Sequence, residues 1–391
     1  MKEGWEYKTL GEVGSFKRGG NFSKKDFVKD GFPCIHYGQI HTKFGIFTEK
    51  HLSCVPANIV KKERCAKKGD LVIAITSEDE EGSCKCTAWM ADYEAYVGGH
   101  TAIYSHTLNP LFMSYYFKSP IFQIEKLNYT HGFKVVEISP KDIAKIKIPI
   151  PSLEEQRRIV SYLDSSFKLI DEIKNEALKS LTEAKALFQS ALAEAMEPKE
   201  GWEEKTLGEL CSIIGGGTPS KKNSSYYNGD IPWATVSDMN CDYLQNTICK
   251  ISDDGVKNSS TQIISKNEVI IATRVGLGKV CILCQDTAIN QDLKGIIPKS
   301  DNKLIRKFIF WWFRSKSNYI VSNGVGATVK GVKLSFVSNL KISLPTISTQ
   351  KQIVSRLDKL SSKVRAIEEK YQKMVEECDA LKQAMLRDVF E

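Results

Sequence analysis

The 391 residues contain no apolar run long enough to cross a bilayer: the most apolar stretch, Phe308–Phe313, is six residues long, against the roughly 20 that a membrane helix needs. The opening, MKEGWEYKTLGEV, lacks the apolar segment of a secretory signal, so the expected location is cytoplasmic. The eleven cysteines are scattered through the chain rather than spaced as a disulfide framework, which excludes the small secreted scaffold and predicts reduced thiols. Cys281-x-x-Cys284 and Cys84-x-Cys86 each lack a second pair at finger spacing, so no metal site is expected. The six histidines, at 36, 41, 51, 100, 106 and 131, all fall in the first part of the chain, and none has the helical spacing of a metalloprotease.

Nucleotide chemistry is missing too. Gly215-Gly216-Gly217-Thr218 has no Gly-Lys-Ser/Thr ending to hold a phosphate and magnesium, and Val275-Gly276-Leu277-Gly278-Lys279 lacks the third glycine and the helix of a dinucleotide fingerprint. Asn109-Pro110-Leu111-Phe112 lacks the second proline of the adenine-binding motif of methyltransferases and reads as a helix cap. The acidic run Glu78-Asp79-Glu80-Glu81 reads as a solvated loop. No catalytic constellation remains.

What is present is a duplication. A hydrophobic fraction of 42% and a charged fraction of 26% describe an ordinary globular protein, and a net charge of +8 leaves a polyanionic partner open. GWEYKTLGEV at residues 4–13 returns as GWEEKTLGEL at 201–210, identical at eight of ten positions. The match continues through Gly69–Ala74 with Asn267–Ala272, through LFMSYYFKSP with KFIFWWFRSK, and through IKIPIPSLEEQRRIVSYLD with LKISLPTISTQKQIVSRLD. The order is globe, long helix, globe, long helix, with expected boundaries at 1–151, 152–197, 198–345 and 346–391. The fold class is α+β: two mixed α/β globes and two long helices forming an antiparallel coiled coil, with a pseudo-two-fold internal repeat.

The helices carry the clearest periodicity. A seam of alternating four and three steps runs through Ile353, Leu357, Leu360, Val364, Ile367, Tyr371, Met374, Cys378, Leu381 and Met385. Its partner runs through Ile159, Leu163, Ser166, Ile170, Ile173, Ala177, Ser180, Ala184, Leu187 and Ala191. Such stripes must pack against another helix. The two helices of one chain are the nearest candidates, and pairing between copies stays open. A helix from 154 to 196 would be about 65 Å long.

The GW-x-x-K-T-L-G-E opening, the Ile214–Ser220 glycine-rich segment, the Ile231-Pro232-Trp233 strand and the P-x-x-x-x-Q-x-x-I-V-x-x-L-D helix entry, seen at Pro151–Asp164 and Pro345–Asp358, together resemble the specificity subunits of type I restriction-modification systems. The resemblance spans essentially the whole chain. It implies two target recognition domains, each reading half of a split double-stranded DNA target, with helices that set the gap and bind two modification (methyltransferase) subunits. Restriction subunits, ATP-dependent translocase/endonucleases, are a further candidate partner. S-adenosylmethionine, ATP and magnesium would belong to those partners, leaving this chain non-catalytic and without a cofactor. The competing reading is a coiled-coil scaffold whose globes bind protein.

Divergence between the repeats marks the expected reading surface. Base edges are assigned to Tyr37, Gln39, Thr235, Ser237, Asp238 and Arg274. Phosphates are assigned to Lys17, Arg18, Lys24, Lys25, Lys134, Lys221, Lys222, Lys279 and Lys330. Close backbone approach to DNA is assigned to Gly132, Gly216 and Gly326. For Gly132 and Gly326 a purely structural turn is the equal alternative.

Overall fold

The computed structural model describes residues 4–132, 134–326 and 328–391. The chain divides into two compact units, Met1–Leu178 with Gln372–Glu391, and Lys179–Tyr371.

The repeated opening motif has a local physical cause. In the first unit the strand Glu6–Thr9 pairs antiparallel with Lys147–Ile150 and then turns into a single helical turn. Thr9 N and Oγ1 donate to the Glu12 carboxylate at 2.6 and 2.7 Å, closing a capping box. The second unit repeats this with Glu203–Thr206 against Lys341–Leu344, and with Thr206 donating to Glu209 at 2.6 and 2.7 Å. In both places the hydrogen bonds from threonine hold the glutamate pKa below its ordinary value.

Each unit then builds the same two sheets. In the first, a five-stranded sheet runs in the order Gly14–Arg18, Thr101–His106, Leu71–Ala74, Cys86–Trp89, Phe47–Thr48, antiparallel except for the parallel last pair. A four-stranded sheet runs Ser53–Val55, Phe32–Ile35, Ala95–Val97, Cys65–Ala66, with its central pair parallel. The second unit has Cys211–Gly215, Leu293–Pro298, Val269–Ala272, Val280–Leu283, Tyr243–Leu244 in one sheet. Its other sheet has Cys249–Ile251, Ile231–Ala234, Thr287–Ile289, Gln262–Ile264. Strand order and direction coincide throughout. Leu71–Ala74 and Val269–Ala272 are buried along their whole length, as central strands covered on both faces must be.

The P-x-x-x-x-Q motif is a docking device. Gln156, 2% exposed, accepts from Asn109 N at 2.9 Å and donates to Pro151 O at 2.9 Å. Gln350, 0% exposed, accepts from Ile305 N at 2.9 Å and donates to Lys303 O at 2.9 Å and Pro345 O at 3.0 Å. Each amide therefore satisfies backbone groups that the long helix would otherwise bury unpaired. The Asp that closes the motif ties the same helix to the aromatic one: Tyr115 Oη donates to Asp164 at 2.5 Å, and Trp311 Nε1 to Asp358 at 2.9 Å.

The long helices span Leu153–Met196 and Ile347–Phe390. In each unit their segments run antiparallel. Within the first unit Asp171 pairs with Lys382 at 2.5 Å and Lys174 with Asp379 at 2.6 Å. Ile159, Val160 and Leu163 share that unit's core with Leu386, Val389 and Phe390. Within the second, Lys185 faces Glu368 and Glu194 faces Arg356, each at 4.0 Å. Phe188, Leu192, Ala195 and Met196 join Val354 and Leu357 in its core, with Ile353, Leu360 and Val364 at the margin.

The expected seam is corrected at four positions. Ile159, Leu163, Ile170 and Leu357 are buried, but Ile173 is 45% exposed, Leu187 71%, Ile367 39% and Leu381 51%. At each of these the next residue turns inward instead: Lys174, Phe188, Glu368 and Lys382 are buried or half-buried. All four occupy the same one of the two alternating seam positions, while the other stays buried at Leu163, Ile170, Ala177, Leu357 and Cys378, so the buried stripe is centred further round than the seam drawn through both. Three of the four inward residues are charged, and each holds an ion pair.

Candidate nucleic-acid interface

In the first unit an open groove of about 560 Å³ lies between the segment after Phe32–Ile35, the loop after Leu71–Ala74, and His100. Tyr37 stands at its centre, ringed by His36, His41 and His100, with ring centroids 4.5, 6.0 and 5.4 Å away. His41 Nε2 lies 3.2 Å from Thr76 O. The carbonyl can only accept, so this nitrogen carries the proton. His36 is pushed to a lower pKa by burial first, then by Lys24 and His100. The acidic loop beside the groove is pinned from beneath by buried Lys126, whose ammonium donates to Ser83 O at 2.7 Å and Glu81 O at 3.2 Å. Burial brings that lysine down to about 8. Asp79 accepts from Gly82 N at 2.6 Å and so closes the loop on itself.

The same place in the second unit is built from Val236, Arg274, Gly276 and Lys279. Val275 has φ +48, an uncommon conformation for a β-branched residue, and it is half exposed. Gly276 at φ +70 completes the turn, where an added Cβ would come within 2.6 Å of Val236 Cγ1.

Several assigned residues sit on these surfaces. Tyr37 and Lys24 line the first groove. Lys17, Arg18, Lys25, Lys134, Lys221, Lys222, Ser237, Arg274 and Lys330 are exposed. Arg18 also pairs with Glu137 at 3.2 Å. Other assignments need correction. Gln39 is buried, accepting from His36 N at 2.9 Å and donating to Ser53 at 2.8 Å, so its amide holds the turn and is not offered to a base. Thr235 and Asp238 form the matching capping box: Thr235 N and Oγ1 donate to one Asp238 oxygen at 2.7 Å, and Ile248 N donates to the other at 2.7 Å. Lys279 is half-buried and braces that turn through Asn240 Oδ1 at 2.9 Å.

The glycines are also explained by the protein itself. A Cβ on Gly216 would meet the Asn290 and Ile289 carbonyls at 2.2 Å, and one on its counterpart Gly19 would meet Gly98 O at 2.0 Å, so chain packing excludes a side chain there. Gly132 (φ +103) and Gly326 (φ +141) each close a tight loop in which a Cβ would come 2.1 or 2.2 Å from the carbonyl three residues on. Phe133 and Ala327 lie outside the described residues. Cys84, Cys86 and Cys281 are spent on the core: burial raises their thiols to about 12. Among the described residues no cluster of three or more potential metal ligands occurs.

The sequence reading missed His41, Lys85 and His100 at the groove. Confinement of histidine to one repeat was the visible signal, but only the fold brings 41 and 100 to the same tyrosine.

The family model of the type I restriction modification DNA specificity domain matches residues 2–183 and again 199–377. The chain belongs to this family. Each matched segment covers one globe and most of the helix after it, so the family's unit is the repeat described above. The specificity subunit of the EcoR124I/EcoR124II type I restriction enzyme of Escherichia coli is 32% identical over 238 residues, 58% of this chain and 57% of its own length. That match thus spans little more than half of the relative. The StySPI specificity subunit of Salmonella potsdam is 22% identical over 426 residues, covering 100% of this chain and 89% of its own length. A solved structure concerned with complex assembly and conformational transition of the type I R-M system has 20% identity and a TM-score of 0.81, covering 100% of this chain and 98% of that one. At that identity the likeness concerns the fold. Among the described residues no helix is long and apolar enough to cross a membrane.

Proposed function

We propose that this chain is the DNA sequence-reading subunit of a type I restriction-modification complex. Globes 1–151 and 198–345 each read one half of an asymmetric bipartite target, and helices 152–197 and 346–391 set the unread gap. The observation that carries this reading is one scaffold used twice, with the same strand ladders beneath surfaces of different side-chain chemistry. A duplicated binding module needs a common frame, whereas two different half-sites need different contact residues. The exposed lysines on both units suit the phosphate backbone that any sequence offers.

The helices are assigned the docking of two modification subunits. Tyr162, Leu169 and Ile173 are 51%, 58% and 45% exposed and share one helix face by their spacing of seven and four. Beside them a recess of about 480 Å³ is lined by Trp5, Arg158, Tyr162 and Val389. An apolar helix face edged by an aromatic recess suits a partner helix. S-adenosylmethionine, ATP and magnesium chemistry is assigned to the modification and restriction partners, and the setting is the cytoplasm.

Deleting the gene in a host that expresses the modification subunit should abolish methylation at one bipartite motif across the genome, read by single-molecule sequencing. An unchanged methylome would overturn the proposal.

A further inference from the structure

The two grooves align position by position through their backbone hydrogen bonds. Ile75 N donates to His100 O at 3.0 Å and Thr273 N to Asp292 O at 2.8 Å, so His100 and Asp292 hold one position. Ala74 N donates to Lys85 O at 2.8 Å and Ala272 N to Lys279 O at 3.0 Å, which equates the two lysines. Thr76 bridges Glu137 where Arg274 bridges Gly331. His41 and Asn240 each stand two residues beyond the matched capping boxes of Gln39 and Asp238. At the first three of these positions the backbone pairing is shared, although His100 has positive φ and Asp292 does not, and the side-chain chemistry differs everywhere except at the lysine.

We infer that His41 and His100 set the base preference of the first half-site, and Arg274 and Asp292 that of the second. This rests on the DNA-reading assignment above. Positions whose side chains vary on a fixed frame suit what differs between the half-sites. The capping-box residues are excluded because their hydrogen bonds are spent on the turn.

Backbone conformation supports the same positions. Of the four non-glycine residues with positive φ among the described residues, His100 (+60) is one of these positions, Val275 (+48) adjoins Arg274, and Cys84 (+62) adjoins Lys85. Such conformations are kept where a side chain must be presented at a fixed place. The chemistry then names the bases. Arg274 is exposed, carries only donors and fits the O6/N7 edge of guanine. His41, with Nε2 committed to Thr76 O, offers Nδ1 as an acceptor and fits the amino group of adenine or cytosine.

The test uses the whole chain assembled with its modification subunits, methylating duplex libraries randomised at each half-site. His100→Asp installs the residue that the second unit carries at the aligned position. It should change the preferred base at one place in the first half-site and leave the second half-site alone. Arg274→Ala should lose about tenfold discrimination for one guanine in the second half-site only. Arg274→Lys keeps donors that reach O6 and N7, so it should hold part of the guanine preference that alanine loses. Wild-type preferences in both His100→Asp and Arg274→Ala, or a change in the opposite half-site, would overturn the inference. Exchange of residues 1–151 for another family member's globe separates the two levels. If that exchange alters the first half-site and the point variants do not, only the present inference fails. If it alters nothing, the DNA-reading assignment fails with it.

Discussion

The first unit packs three imidazoles around a tyrosine in the place where the second sets an arginine, an aspartate and a valine at positive φ. Beneath these surfaces the strand ladders, the capped turns and the buried glutamines correspond residue for residue. The difference shows where a duplicated fold is constrained. Positions that satisfy backbone groups kept their chemistry or changed in pairs, as His36 with Gln39 became Thr235 with Asp238. Of the positions aligned at the surface above them, the lysine is the same in both units and the others differ.

The most severe way to break the correspondence is through the buried glutamines. Gln350→Ala strips partners from three backbone groups and Gln156→Ala from two. At about 1 to 1.5 kcal/mol for each buried group left unpaired, the losses should be about 4 and about 2.5 kcal/mol. Chemical denaturation should rank them in that order. Equal losses would mean that the extra bond to Lys303 contributes nothing.

The next expected effect separates the units by pH. The His106 ring lies tilted against Tyr104 at 5.1 Å with its nitrogens shut away from solvent, and burial holds it down to about 4. The unfolded chain takes up that proton near pH 6.5. Between about pH 6.5 and 4 the unfolded state therefore binds more protons than the native state, and stability falls as pH falls. The loss approaches about 3 kcal/mol by pH 4 and then levels off. The second unit has no histidine. His106→Leu should remove this step from the acid-unfolding curve of the first unit and leave the second unit's curve in place, as followed by amide exchange.

Much of this was legible from the residues alone, and the boundary has a physical reason. The repeat, the caps at Thr9 and Thr206 and the long helices are set by neighbours within a few residues, so their signals lie in short windows. Side-chain allegiance does not. Gln39 and Asp238 are polar residues in a divergent stretch, and only the fold shows them facing their own backbone. The seam failed at Ile173, Leu187, Ile367 and Leu381 because the next residue turns inward at each, and three of those are charged residues that a hydrophobic template passes over. The groove needed His41, on a short helix, and His100, in a turn far along the chain, brought to the same tyrosine.

A smaller effect is expected at the paired loop glycines. Gly132→Ala and Gly326→Ala place a Cβ 2.1 and 2.2 Å from a carbonyl, on backbones at φ +103 and +141. Each should cost about 1 to 3 kcal/mol, confined to its loop. Amide exchange should quicken at residues 131–137 in one variant and 325–331 in the other. If DNA affinity falls while exchange is unchanged, the glycines serve backbone approach to DNA instead of the turn.

The smallest effect per residue should ignore the difference between the units altogether. Lys24 and Lys25 in the first, and Lys221 and Lys222 in the second, are exposed on segments that follow the matched glycine pairs Gly19-Gly20 and Gly216-Gly217. If these lysines hold phosphates, each contact contributes counterion release and no base discrimination. Lys24→Ala with Lys25→Ala should then lower the slope of log affinity against log salt by about 1.8, and the pair at 221 and 222 should do the same. Base preferences at both half-sites should be untouched. A slope change in one unit and not the other would mean that the units meet the backbone differently, and that the shared frame does not impose a shared docking geometry on DNA.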